Sequence, residues 1–323
     1  MVKCLEEEGV TRIFGYPGVA ISPFYEALYN AGTIEHVLVR QEQAAGHAAS
    51  GYARISRKAA VCVTSSGPGA TNLITALATA YADSIPLIAI TGQVNSNLLG
   101  RDVFQEADMR GSTESFVKYS YLVKSADDIP RIFKEAFYIA STGRKGPVLI
   151  DIPCDVQIDL LKKSFDYTSE VNIRGYKPST KGNNPQMHKV VAAINKAKKP
   201  LICAGGGVIL GNGEECVRQF CEKNNIPLVT TMMGIGVMPK NHPLYFGMLG
   251  NNDTAFFDKF PGEFFFLEIV VPFIRIADTH DRIFHNRTHT QKKCRITRDY
   301  FRIWVCCHIS YFCLLFRDRT VFN

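Results

Sequence analysis

The ten cysteines contain no CxxC pair and no spacing typical of a small disulfide framework. That argues against a stapled secreted scaffold and for a reducing compartment, with the cytoplasm expected. No apolar run reaches the roughly 20 residues that cross a bilayer. The nearest candidate, Ile303 to Phe316, is short and holds His308, so no membrane partner is expected. The formal net charge is +7, yet acids and bases are interspersed. With no block of like charge, a nucleic-acid arm is not expected. GxxxxGK[ST], HExxH and GxSxG are all missing, which removes the phosphate loop, the zinc-protease helix and the nucleophile elbow. The opening "MVKCLEEEGV" reads as a helix closed by glycine, not as a signal or transit peptide.

What is present is the composition of a core-forming protein: 46% apolar and 21% charged residues over 323 positions, enough for two domains. The first 157 residues alternate strand and helix. Apolar runs at Thr11–Gly18, His36–Val39, Ala59–Ser65, Ile85–Gly92 and Gly146–Pro153 read as strands. They are continuous rather than alternating, which implies burial on both faces in a parallel sheet flanked by helices. Ser22–Gly32 reads as a helix with Ser22 at its cap and Pro23 in its first turn. Asp127–Thr142 spaces Ile129, Ile132, Phe133, Ala136, Phe137 and Ala140 along one helical face. Residues 158–186 are polar and aperiodic and read as a linker. Residues 187–250 supply a second β/α unit, part of a doubly wound α/β domain: a helix at Met187–Lys198, a strand at Pro200–Ala204, a helix at Glu214–Asn224 and the strand "IPLVTT". From Asn251 no periodic pattern places an element. Residues 251–323 hold 12 of the 21 Phe, 4 of the 8 His and the only Trp, a composition unlike the rest of the chain.

Ligands of open parallel α/β sheets sit beyond the carboxyl ends of the strands. Four groups fall there: Tyr16–Gly18, Glu42, Ser65–Asn72 and Gly92–Asp108. "SGPGATN" puts glycines at a strand-to-helix turn, either to admit a ligand close to backbone or only to pack. Glu42 opens a helix, where the macrodipole alone favours a carboxylate by about 0.3–1 kcal/mol. The alternative is a carboxylate that holds or relays a proton in a cleft. "GGGVILGNG" (Gly205–Gly213) is like a dinucleotide turn but departs from GxGxxG at Leu210. His280, His285, His289 and Cys294 match no zinc spacing, so no metal site is assigned.

Taken together and in order, "RIFGYPG", "VRQEQAAGHAASGYAR", "VTSSGPGATNLITALATAYADSIPLIAITGQV", "DVFQEADM", "VKYSYLV", "GPVLIDIPCDVQ", "AGGGV", "MMGIGVMP" and "HPLYFGMLG" resemble the catalytic subunit of the acetolactate synthase (acetohydroxyacid synthase) family. The resemblance runs from residue 2 to about 250. It implies a thiamine diphosphate-dependent carboligase of branched-chain amino acid biosynthesis, taking pyruvate and a second 2-ketoacid. Glu42 matches the glutamate that hydrogen-bonds N1′ of the cofactor's aminopyrimidine and so promotes loss of the thiazolium C2 proton. Tyr16, Pro17 and Gly18 match one turn against that ring, and Gly67, Pro68, Gly69 and Asn72 the other. Gln105 and Lys118 match residues near the substrate channel. Gly205, Gly206, Gly207, Met232, Met233, Gly234, Gly247, Met248, Leu249 and Gly250 match backbone that holds FAD, structural in this family. Val19 departs from the small residue usual after "YPG", with crowding of the loop the expected effect.

The family's third domain carries a Gly-Asp-Gly segment that holds Mg²⁺ and the diphosphate. No Gly-Asp-Gly occurs in these 323 residues. The resemblance fades after "GMLG", as a truncated or frame-shifted tail would make it. The expectation is a chain inactive alone, paired as a homodimer or with a full-length subunit, with a small regulatory subunit as a further partner. The alternatives are another decarboxylase or carboligase using the same cofactor, and a non-catalytic fragment or pseudoenzyme partner. "FQEADM" and "GMLG" favour the acetolactate synthase type.

Overall fold

The computed structural model describes residues 1–167, 170–179, 181–249, 265–269, 276–278 and 301–305. The chain divides into two compact units, Met1–Pro178 and Ser179–Asn323.

The first unit runs α1 (Val2–Glu7), β1 (Arg12–Gly15), α2 (Ser22–Ala31), β2 (Glu35–Leu38), α3 (Glu42–Ser56), β3 (Ala60–Thr64), α4 (Pro68–Thr71), α5 (Ile74–Ala82), β4 (Leu87–Gln93), α6 (Met109–Thr113), β5 (Tyr119–Leu122), α7 (Ile129–Ser141), β6 (Pro147–Pro153) and α8 (Cys154–Ile158). Its six strands form one parallel sheet in the order β2-β1-β3-β4-β6-β5. Every residue of β3, β4 and β6 is buried, as their continuous apolar runs require. One face packs Ile13, Val61, Val63, Ile88, Ile90, Val148 and Ile150 against Phe24 and Leu28 of α2 and Phe133 and Phe137 of α7. On the other face α3 lies against α5. There Gly46 allows a close approach, because a Cβ at that position would stand 2.5 Å from Ala76 Cβ.

Several local expectations are corrected. The apolar "HVLV" is not a buried strand: β2 is an edge, and Leu38 is 63% exposed. Ser22 does not cap α2; a 3₁₀ turn, Val19–Ile21, precedes it, and the Ser22 hydroxyl donates to Val19 O at 2.9 Å. The strand β5 was not expected, since its half-exposed "YSYL" lacks an apolar run. Val19 does not crowd its loop, because its side chain is 84% exposed. Part of the expected linker is docked. Tyr167, Ile173 and Tyr176 pack against the core of the first unit, and the Tyr167 hydroxyl donates to Glu8 at 2.8 Å. Polar composition hid this, because the anchors are isolated residues, two tyrosines and an isoleucine, rather than a periodic stripe.

The second unit holds α9 (Asn184–Lys196), β7 (Pro200–Ala204), α10 (Gly206–Leu210), α11 (Glu214–Asn224), β8 (Leu228–Thr230) and β9 (Tyr245–Met248). The helix α9 starts earlier than expected because the Asn183 side chain caps it, accepting from Gln186 N at 3.1 Å. The strands β7, β8 and β9 pair in parallel. The strands β10 (Phe265–Ile269), β11 (Ile276–Asp278) and β12 (Phe301–Val305) complete a six-stranded sheet in the order β11-β12-β10-β7-β8-β9, with β11 antiparallel to β12. His280, His285, His289 and Cys294 lie outside the described residues. No described helix is long and apolar enough to cross a membrane.

Candidate functional site

The strand ends decide which groups meet. In the parallel sheet of the first unit, Tyr16, Glu42, Ser65 and Val94 all follow the carboxyl ends of their strands. Glu42 is the first residue of α3, but the cap is its neighbour. Gln41 is extended, and its side-chain oxygen accepts from Ala44 N at 3.1 Å. The Glu42 carboxylate is therefore released from capping and turns across to α4, where Oε2 accepts from Asn72 Nδ2 at 2.9 Å. Its other oxygen faces Gly69, where a Cβ would sit 3.4 Å from Oε1.

Glycines make room around that carboxylate. At Gly18 a Cβ would stand 2.4 Å from Ser65 Cβ, so the Tyr16–Gly18 turn lies directly on the residue that precedes "SGPGATN". Gly67 has φ +54 and ψ −123, a conformation reserved for glycine. A Cβ there would meet the Gln105 carbonyl oxygen at 2.8 Å and Cα at 2.9 Å. Gln105 itself has φ +60. The two turns, Glu42, Asn72 and Gln105 thus converge. Tyr16 is 42% exposed, and Pro17 and Pro68 are also exposed at the rim.

Lys118 does not join this group. It precedes β5 and donates its N–H to Pro147 O at 2.8 Å, so it lies at the amino edge of the sheet, opposite the site. Its ammonium caps the end of α7, donating to Ile139 O, to Thr142 O at 2.8 Å and to the Tyr176 hydroxyl at 2.9 Å. Burial pulls its pKa down to about 8. Here it acts as a tether for the segment around Tyr176.

Sequence reasoning missed a buried polar group behind the Gln105 loop. Asp151 is 2% exposed in the middle of β6. Thr91 donates to its Oδ1 at 2.6 Å and Gln93 Nε2 to its Oδ2 at 3.0 Å. The same Gln93 nitrogen donates to Ala107 O at 2.8 Å. The signal was present as an aspartate inside the apolar run "VLIDIP". Desolvation pushes its carboxyl up from 3.8 to about 7, against the two hydrogen bonds that favour the charge. A carboxyl raised in the folded state favours folding in its protonated form. Stability from this group is therefore complete below about pH 4 and falls as pH rises through about 7. Urea denaturation across that range should show this slope in the wild type and its loss in Asp151→Asn.

In the second unit the Gly205–Gly207 turn and the Met232–Gly234 turn are pressed together. A Cβ on Gly234 would overlap the Ala204 carbonyl at 2.1 Å, and one on Gly206 would lie 2.9 Å from Met233 Cβ. Gly247 and Met248 line a separate cavity of about 850 Å³ with Ile235, Gly236, Met238 and Arg218. Leu249 packs beside Val229, and Gly250 lies outside the described residues. Among the described residues no cluster of His, Cys, Asp or Glu could hold a metal ion.

Residues 1–112 match the family described as thiamine pyrophosphate enzyme, N-terminal TPP binding domain, and residues 187–259 match its central domain. The acetolactate synthase large subunit of Buchnera aphidicola (subspecies Schizaphis graminum) is 50% identical over 254 residues, 79% of this chain and 44% of that protein. The corresponding subunit of Haemophilus influenzae is 47% identical over 254 residues, again 79% of this chain and 44% of that protein. The chain thus spans less than half the length of these curated relatives. In fold it is similar to benzoylformate decarboxylase from Polynucleobacter necessarius, with TM-score 0.73 and 23% identity over 84% of this chain and 50% of that one.

Proposed function

The chain belongs to the thiamine pyrophosphate enzyme family, and on that premise we propose that its first unit is the aminopyrimidine-binding half of an acetolactate synthase-type site. The reaction proposed is decarboxylation of pyruvate and ligation of the two-carbon unit to a second 2-ketoacid. One observation carries the reading. The Glu42 carboxylate, held by Asn72 and released from capping, faces a space that a side chain at Gly69 would fill. A flat heteroaromatic ring suits such a space. When bound, thiamine diphosphate supplies the electron sink for decarboxylation. Glu42 would hold a proton at the ring nitrogen N1′. Asn72 fixes one carboxylate oxygen so that the other points into the site, which is the preorganisation a proton-holding group needs. The turns at Tyr16–Gly18 and Gly67–Gly69 would flank the ring and exclude water, and Gln105 would border the substrate's approach.

Among the described residues no cluster of His, Cys, Asp or Glu could hold Mg²⁺, and the sequence has no Gly-Asp-Gly; a polypeptide carrying that segment is proposed to supply the diphosphate half. A second copy, a longer subunit and a small regulatory subunit are the partners proposed. FAD is proposed as a structural cofactor of the second unit. The two glycine turns pack on each other at the end of β7, and Gly247 and Met248 open onto a cavity.

The test is acetolactate formation from pyruvate with thiamine diphosphate, Mg²⁺ and FAD. The 323-residue chain alone should show none. Adding a polypeptide that carries the Gly-Asp-Gly domain should produce it. Pyruvate consumption by the complex without acetolactate would replace this reading with a simple decarboxylase.

A further inference from the structure

The loop from β4 to α6 brings Gln105 to Gly67, but its tip does not anchor itself: Phe104 is 87% exposed and Gln105 is exposed. Local carboxylates shape the loop. Glu106 accepts from the Gly100 N–H and, at 3.2 Å, from the Val103 N–H; Asp108 accepts from Gly111 N at 2.9 Å. These bonds stay within the loop and α6. The bond from Gln93 to Ala107 O instead ties the loop to the buried sheet, two residues beyond Gln105. Gln105 holds a left-handed backbone against the glycine-only backbone of Gly67, so the close approach must be imposed by its surroundings.

We propose that Asp151 and Gln93 are positioning residues: with Thr91 they form a buried strut that fixes the Ala107 carbonyl and thereby seats Gln105 on the Gly67 turn, closing one wall of the space in front of Glu42. Register supports this. Thr91 pairs with Asp151 across β4 and β6, so both side chains emerge on the same face near the carboxyl ends of the strands. The chemistry is complementary. Each Asp151 oxygen takes one donor, and Gln93 spends its two amide hydrogens on Asp151 and on the loop. Alanine at 151 would leave Thr91 and one Gln93 hydrogen buried without partners. Asparagine can keep both contacts by turning its oxygen to Gln93 and its NH₂ to the Thr91 hydroxyl. The consequence for cofactor binding rests on the reading of that space as an aminopyrimidine site.

The test uses the 323-residue chain with Asp151→Ala, Asp151→Asn and Gln93→Leu. Two quantities are measured: amide hydrogen exchange over residues 106–112, and calorimetric affinity for thiamine diphosphate. Asp151→Ala and Gln93→Leu should speed exchange in that segment by about tenfold while β3, β4 and β6 keep their protection. Both should weaken the cofactor by a similar factor, and Asp151→Asn should restore both readouts. Should Asp151→Ala fail to fold, Gln93→Leu carries the test, since it roughly keeps the volume while removing the donor to Asp151 and Ala107, along with the side-chain oxygen that accepts from Val94 N at 2.9 Å. Unchanged exchange in the segment, or an asparagine variant that behaves like the alanine one, overturns the strut. Faster exchange with unchanged affinity overturns its role at the site. A wild-type chain that binds no cofactor removes the functional reading, while the exchange data still decide the strut.

Discussion

Glu42→Gln is expected to lower turnover by about 10²–10⁴-fold, the range for loss of a positioned proton-transfer group, in any assembly that forms acetolactate. The substitution is nearly isosteric. Its amide oxygen can still accept from Asn72, so the turn geometry at Gly67–Asn72 stays in place. What it loses is the negative charge and the capacity to hold a proton. Cofactor affinity should therefore change far less than turnover. Exchange of the cofactor's C2 proton, followed by NMR, should slow in parallel with turnover. Wild-type turnover in the variant would leave Glu42 with only its favourable place at a helix N-terminus, worth about 0.3–1 kcal/mol.

Gly67→Ala should be the most damaging single methyl in the site. Two costs combine. The backbone at φ +54 and ψ −123 is one that alanine adopts only with strain, about 1–3 kcal/mol. The new Cβ would also collide with the Gln105 backbone at 2.8–2.9 Å, which cannot yield as a flexible side chain can. Gly100→Ala is the control: its φ is +76, but a Cβ there meets nothing within 4 Å. Urea unfolding should show the control losing about 1–2 kcal/mol and Gly67→Ala losing more. Cofactor binding should vanish only in Gly67→Ala. Equal losses in the two variants would mean that Gln105 does not bear on the turn.

Much of this was legible in the chain because it depends on neighbours in sequence. Continuous apolar runs in "AAVCVTS", "IPLIAITG" and "GPVLIDIP" implied strands buried on both faces, and all three are. A parallel sheet then puts every strand's carboxyl end on one side, and the strand order β2-β1-β3 makes Tyr16, Glu42 and Ser65 neighbours. What stayed hidden depends on contacts distant in sequence. Lys118 gave no local sign of the edge it occupies; register with β6 sets that. Tyr176 looked like part of a linker until it received the Lys118 ammonium. Asp151 stood out as a charge in an apolar run, but its partners, Thr91 and Gln93, lie about 60 residues away. Gly67 signalled a turn, and only the fold shows that its missing side chain makes room for Gln105.

The most direct measurement is ligand-observed saturation-transfer NMR of thiamine diphosphate with the 323-residue chain, comparing wild type with Gly69→Leu. If the first unit is the aminopyrimidine half-site, saturation will concentrate on the pyrimidine protons, remain weak on the thiazolium side, and disappear in the leucine variant. Saturation spread evenly over the cofactor, or unaltered by a leucine beside Glu42, would contradict the assignment of this space to the pyrimidine ring.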